Sequence, residues 1–163
     1  MSFHKKLYQK IKTVNTLLPI INVLKDEQKK IVFTNGCFDI LHRGHVEYLS
    51  KARDLGDVLV LGLNTDNSVK RLGKSPERPI NKEDSRAIIL AALECVDYIV
   101  LFDEDTPLEL ITKVLPDVLV KGDDYKPENI VGYDVVTKNG GTVKTITFVE
   151  GFSTTGIIAK LKG

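Results

Sequence analysis

From residue 31 onward, short apolar runs alternate with longer stretches whose apolar residues recur at helical spacing. Ile31-Val32-Phe33, residues 58–63, 97–101, Val118-Leu119-Val120 and 142–149 read as five strands. Between them, 44–55 (Val46, Leu49, Ala52, Leu55), 83–94 (Ile88, Ile89, Ala91, Ala92, Leu93), 106–115, part of 127–138 and 154–161 read as helices. Thr106-Pro107 suits an opening turn, and Asn139-Gly140-Gly141 suits a stop. Continuous apolar runs are strands buried on both faces. Their alternation with helices implies right-handed crossovers. The expected fold is α/β, a doubly wound five-stranded parallel sheet with helices on both sides.

Residues 1–29 differ. Leu7, Ile11, Val14, Leu17, Leu18, Ile21 and Leu24 keep helical spacing, interrupted by Pro19. They predict an N-terminal extension of one or two helices on the surface of a domain formed by residues 30–163. Charge marks the same division. Residues 1–30 hold seven lysines against Asp26 and Glu27, while the whole chain is only +1. The basic segment reads as a solvated helix face, or as an arm that meets phosphates or a partner subunit.

The 163 residues, 42% hydrophobic and 28% charged, fit one soluble domain with a substantial core and leave no room for a fused second one. So small a net charge argues against a dedicated nucleic-acid binder. No apolar run approaches the roughly 20 residues of a membrane span. The polar start Met1-Ser2-Phe3-His4-Lys5-Lys6 does not resemble a secretory signal. Cys37 and Cys95 form no CxxC pair, which excludes a disulfide scaffold or a zinc ribbon. A cytoplasmic protein is expected.

In doubly wound sheets, ligands bind beyond the carboxyl ends of the strands, at the point where strand order reverses. That rule selects residues 34–45, 64–66, 121–125 and 150–155, and the informative motifs fall there. His42 and His45 lie three apart at a helix entrance, so both can address an anion held by free N–H groups and the helix dipole. Imidazole N–H groups can stabilise charge developing on a phosphate. Neither GxxxxGK[ST] nor GxGxxG is present, so a P-loop kinase and a dehydrogenase are not supported. Two histidines without an evident third ligand do not predict zinc, and Cys37 reads as a buried small residue rather than a nucleophile. Asp39 reads as a cap or orienting group for the histidine loop. Ser153, Thr154 and Thr155 open the last helix with three hydroxyls beside its free N–H groups, although Ser153 also fits a plain N-cap. Arg78, after the loop 73–77, reads as a mobile cation for a substrate phosphate or as a surface arginine. Gly122 permits tight backbone passage, Tyr125 offers a ring near base or sugar, and Asp124 offers an acceptor. Lys51 alone reads equally as a solvated helix lysine.

His42-Arg43-Gly44-His45 matches the HxGH motif of the cytidylyltransferase-like nucleotidylyltransferase superfamily. Further stretches resemble its heptose 1-phosphate adenylyltransferase branch. These are 34–45, Leu63-Asn64-Thr65-Asp66, Arg78-Pro79-Ile80-Asn81, 91–97, Phe102-Asp103-Glu104-Asp105-Thr106-Pro107-Leu108, 116–125 and Glu150-Gly151-Phe152-Ser153-Thr154-Thr155, covering essentially all of 31–162. HxGH points to the superfamily alone. The RPIN, FDEDTPLELI and VKGxDY segments together point to the heptose branch.

The resemblance implies a Rossmann-like α/β/α sandwich that transfers AMP from ATP to a sugar 1-phosphate with release of pyrophosphate. It implies His42 and His45 holding the triphosphate and transition state, with Lys51 binding phosphate oxygens. It implies nucleotide contacts at Asn35, Gly36, Cys37, Phe38, Asp39, Gly44, Asp66, Gly122, Asp124, Tyr125, Gly151, Phe152, Ser153, Thr154 and Thr155. Arg78 and Lys121 would meet the substrate phosphate. Magnesium would travel on the triphosphate without protein metal ligands, and a homodimer is expected with the N-terminal segment as a candidate contact. Two departures bear on the base. Asp123 replaces the Gly of the heptose branch's KGGDY, and the cytidylyltransferases carry GDD there. Against that, the arginine that glycerol-3-phosphate cytidylyltransferases place ahead of the closing STT is absent, Phe148 standing at the corresponding point. A glycerol-3-phosphate cytidylyltransferase, another phospho-alcohol nucleotidylyltransferase and a non-catalytic nucleotide-binding domain remain the competing readings.

Overall fold

A computed structural model of the chain describes residues 2–162. Its centre is a parallel sheet of six strands in the order β1-β4-β3-β2-β5-β6: β1 Ile11–Lys12, β2 Ile31–Gly36, β3 Val58–Asn64, β4 Tyr98–Phe102, β5 Val118–Gly122 and β6 Thr142–Ile146. The helices are α1 Phe3–Lys10, α2 Val14–Asp26, α3 Arg43–Arg53, α4 Asp66–Arg71, α5 Glu83–Ala91, α6 Leu108–Val114, α7 Tyr133–Lys138 and α8 Thr154–Lys162. A 3-10 turn at Pro127–Asn129 precedes α7.

β3 shows why the runs become central strands. All seven of its residues are buried. Leu59, Leu61 and Leu63 pack on one side with Tyr48, Leu49 and Ala52 of α3 and Ala87, Leu90 and Ala91 of α5. Val58 and Val60 pack on the other with Leu17 and Ile21 of α2 and Leu110, Ile111 and Val114 of α6. Period-two alternation thus fills two apolar layers at once.

Two expectations are corrected. The sheet has six strands rather than five, because Ile11 and Lys12 pair in parallel with Ile99 and Val100 at the edge. The first helical stretch does not lie wholly on the surface. α1 has no buried residue, but in α2 both Leu17 and Ile21 are buried in the core. Thr13 separates the two helices through a reciprocal capping box with Thr16. The short α4 was not expected from the pattern.

Strand order reverses around β2, whose neighbours are β3 and β5. Its carboxyl end and that of β5 therefore bound the crevice that the doubly wound rule selects. No helix among the described residues is long and apolar enough to cross a membrane.

Candidate active site

β2 delivers the chain into a tight loop that ends at His42, the N-cap of α3. Phe38 sits at φ +45°, a left-handed conformation unusual for a bulky residue. Its buried ring closes over Gly36 and meets the His45 ring edge-on at 5.1 Å between centroids. The His42 and His45 rings stack at 3.7 Å with 19° between their planes. Gly44 makes this possible. A Cβ there would stand 3.1 Å from the His42 ring and 3.2 Å from Cβ of Phe152.

Both imidazoles are held toward the neutral form. Burial lowers the pKa of His42. Burial, then the adjacent His42, pushes His45 down to about 4, against a backbone hydrogen bond at Ile40. The Nδ1 atoms of both rings, and Oδ1 of Asn35, are buried without a hydrogen-bond partner. Orphaned polar atoms grouped at a helix entrance mark a place where a ligand completes the pairing.

A second helix start faces the first. Ser153 caps α8, its Oγ accepting from the Gly156 amide at 2.9 Å, with Thr154 buried and Thr155 exposed beside it. Gly151 takes φ +84° to make the turn into this cap. Phe152 lies 6.4 Å from the His42 ring and beneath the Arg43 guanidinium at 5.8 Å.

The third wall comes from β5. Lys121 Nζ donates to the Asn35 carbonyl at 3.4 Å, and burial pushes its pKa down to about 8, with Asp124 and Cys37 pulling upward. Gly122 lies under the Phe148 ring, and a Cβ there would run into it. Phe148 stacks at 5.5 Å on Tyr48, whose hydroxyl donates to Thr34 Oγ1 at 2.8 Å. Thr34 in turn donates to the Val120 carbonyl at 3.0 Å. Burial raises the Tyr48 phenol well above its usual value, so it stays a donor. Asp124 is exposed and Tyr125 is half-exposed at the rim.

Several anticipated residues have partners within the protein. Arg78 is neither mobile nor on the surface. It is buried, and its Nε donates to Asp39 at 3.1 Å. Asp39, also buried, accepts further from the amides of Ile80 at 3.0 Å and Asn81 at 2.9 Å, so it anchors the segment 78–81 beneath the histidine loop. Asp66 is engaged at 2.8 Å by Arg86. Cys37 is only half-buried, and that burial pushes its thiol up, away from thiolate chemistry. Lys51 is exposed in the last turn of α3, at the opposite end from the imidazoles, and the structure does not bring it to them.

Sequence reasoning missed Arg86. Its side chain is wholly buried and donates to the carbonyls of Cys37 (2.7 Å), Asn64 (2.8 Å) and Asn81 (3.0 Å) as well as to Asp66. It ties the ends of β2 and β3 to the 78–81 segment. The available signal was an arginine on the apolar face of α5, beside Ala87 and Leu90.

A bifunctional protein HldE from Geobacter metallireducens is 60% identical over 158 residues, which is 97% of this chain and 32% of that protein. The chain spans about a third of the length of the curated relatives it matches. The crystal structure of a lipopolysaccharide core biosynthesis protein from Thermoplasma volcanium is similar at TM-score 0.60 and 31% identity, covering 74% of this chain and 97% of that one. A pantoate-beta-alanine ligase from Francisella tularensis, at 16% identity and TM-score 0.60 over 93% of this chain and 76% of that one, shares the fold. The model of the cytidylyltransferase-like family matches residues 33–160, a span that takes in the imidazole pair, the β5 wall and the α8 cap together, and to that family the chain belongs.

Proposed function

We propose that the chain transfers AMP from ATP to D-glycero-β-D-manno-heptose 1-phosphate, releasing pyrophosphate and forming ADP-heptose for lipopolysaccharide core synthesis in the cytoplasm. One observation carries the reading. Two neutral, stacked imidazoles with unpartnered Nδ1 atoms stand at one helix start, opposite the hydroxyl-bearing start of another. The heptose branch is supported by the RPIN, FDEDTPLELI and VKGxDY segments and by the similarity to the bifunctional and lipopolysaccharide-core proteins.

The reaction is an in-line attack by a phosphate oxygen of the sugar phosphate on the α-phosphorus of ATP. The attacking oxygen is already anionic, so no protein nucleophile is required. His42 and His45 hold the β- and γ-phosphates by N–H donation, and the hydroxyls and amides at 153–155 grip the same polyphosphate. Lys121 receives the incoming phosphate, leaving Asp39, Arg78 and Arg86 to shape the loops. Positioning two polyanions supplies ~7–11 kcal/mol of the barrier reduction, and one donor on developing charge ~2.7–4 kcal/mol. Asp39 has both oxygens occupied, and among the described residues no group of three or more His, Cys, Asp or Glu could hold a metal. Magnesium carried on the triphosphate by phosphates and water would need no cage of protein ligands here, and would supply neutralisation of charge on the leaving pyrophosphate. A homodimer belongs to the same proposal, with α1, which exposes Phe3 and Tyr8, as its contact; light scattering reads it.

The test is pyrophosphate release across ATP and CTP and a panel of heptose, hexose and glycerol phosphates. ATP with heptose 1-phosphate is expected to turn over far faster than any CTP pair, and His45→Ala to lose ~100-fold or more in kcat. Equal use of CTP refutes the base assignment. Near-normal kinetics of His45→Ala at saturating ATP refutes the site. ATP binding without any turnover favours a non-catalytic domain.

A further inference from the structure

We propose that Phe152 is a positioning residue. In contact with both the His42 ring and the Arg43 guanidinium, it locks the loop that opens α8 onto the histidine turn, so that imidazoles and hydroxyls face one polyphosphate. The inference rests on the nucleotide site proposed above.

Phe152 is 40% exposed and lies in neither apolar core, so its ring does not serve to fill the interior. What it touches belongs to the site. Its ring is tilted only 27° from that of His42, and its Cβ is where a side chain on Gly44 would have to go. The Arg43 guanidinium also lies over the Phe152 ring, 5.8 Å from its centroid. Arg43 is itself held by Glu47, one turn on, at 2.6 Å from Nε to Oε1. Glu47, Arg43, Phe152 and His42 are thus linked by successive contacts, and the residue following Phe152 is the α8 cap. The variable position of HxGH and the residue ahead of the closing hydroxyls act as a matched pair across two helix starts. The Phe152 ring, 6.4 Å from that of His42 and tilted only 27° from it, is placed to contribute to the burial that lowers the pKa of this imidazole.

The experiment compares wild type, Phe152→Ala, Phe152→Tyr, Arg43→Ala and the double Phe152→Ala, Arg43→Ala. Two readouts are taken: kcat and KM for ATP in pyrophosphate release, and the NMR titration of His42 without ligand, with the neighbouring His45 followed in the same spectra. Phe152→Ala is expected to lower kcat by ~10- to 100-fold, the cost of misplacement by about 1 Å. It is also expected to move the His42 titration up toward its ordinary value. Phe152→Tyr, which keeps the ring, recovers most of both. Arg43→Ala costs less in the Phe152→Ala background than alone, because the two share one contact. An unmoved His42 titration in Phe152→Ala overturns the proposal whatever the rates do. A kcat within about twofold of wild type overturns it as well. If wild type releases no pyrophosphate with any nucleotide, the reading of the site has failed, and the titration together with the Tyr rescue still decides the role of Phe152.

Discussion

Protonation of His45 gives the sharpest test of the site's electrostatics. Burial first, and the neighbouring His42 next, push it down to about 4, whereas in an unfolded chain the imidazole titrates near 6.5. Between those values the unfolded chain binds more protons. The stabilisation is therefore full above about pH 6.5 and is lost progressively as pH falls toward 4. At pH 5 the linkage relation gives about 2 kcal/mol relative to neutral pH, or ~1–2 kcal/mol after allowance for solvent screening of a half-buried ring. His45→Gln removes the titration and keeps a polar side chain of similar reach. Urea unfolding of both proteins from pH 7.5 to 5.0 should show wild type losing ~1–2 kcal/mol more than the variant over that range. Parallel pH profiles, within about 0.5 kcal/mol, would refute the claim that the fold holds this ring neutral. A bound triphosphate acts in the opposite sense, since a nearby anion favours the charged ring. Calorimetry of ATP binding near pH 6 in buffers of different ionisation enthalpy should therefore report proton uptake by wild type and less by His45→Gln.

Other outcomes follow from the packing. Asp39→Ala strips a buried arginine and two amides of their acceptor, and should cost ~3–5 kcal/mol by urea unfolding. A loss below about 1 kcal/mol would mean the 78–81 segment is anchored elsewhere. Leu17→Ala, in a helix whose core face is fully buried, should cost ~2–5 kcal/mol. The ~0.5 kcal/mol typical of a surface change would return α2 to the exterior. Gly122→Ala drives a Cβ into the Phe148 ring and should raise KM for ATP with the fold retained, and Phe148→Ala in the same chain should relieve it. An unchanged KM in Gly122→Ala would remove this ring from the nucleotide wall.

The central strands were legible because burial on both faces forces continuous apolar residues, which few other elements need over five to seven positions. β1 was not legible. Ile11 falls in register with the helical series of Leu7, Val14 and Leu17, so two extended residues between helices leave no break in the pattern. α4 escaped because its six residues include only Val69 as a large apolar side chain. At the site, the histidines, glycines and hydroxyls could be singled out, since their chemistry is written in the residue type and the spacing. Partners could not. Whether Arg78 reaches solvent or Asp39, and whether Asp66 meets a ligand or Arg86, is decided by loops that meet only in three dimensions. Lys51 misled for a related reason. A lysine eight residues beyond the first helical residue is close in sequence but stands ~12 Å farther along the axis.

Of the cations around the crevice, Arg78 and Arg86 are consumed by Asp39, Asp66 and backbone carbonyls. What the site turns toward an anion is then largely neutral: two depressed imidazoles, three hydroxyl side chains and the amides of two helix starts. Lys121 adds a charge that its lowered pKa leaves partly discharged above about 8, with Lys74 near enough to act on it and Arg43 at the Phe152 rim. This composition suits a reaction that must let its polyanionic product go. Fixed cations would hold ATP and pyrophosphate alike, and such uniform binding lowers KM without raising kcat. Neutral donors whose hydrogen bonds strengthen as negative charge accumulates favour the transition state over either ground state. On this argument His45→Lys, which installs a permanent charge at the same place, should bind pyrophosphate more tightly than wild type while turning over more slowly. Product inhibition constants measured beside kcat would expose the opposite ordering at once.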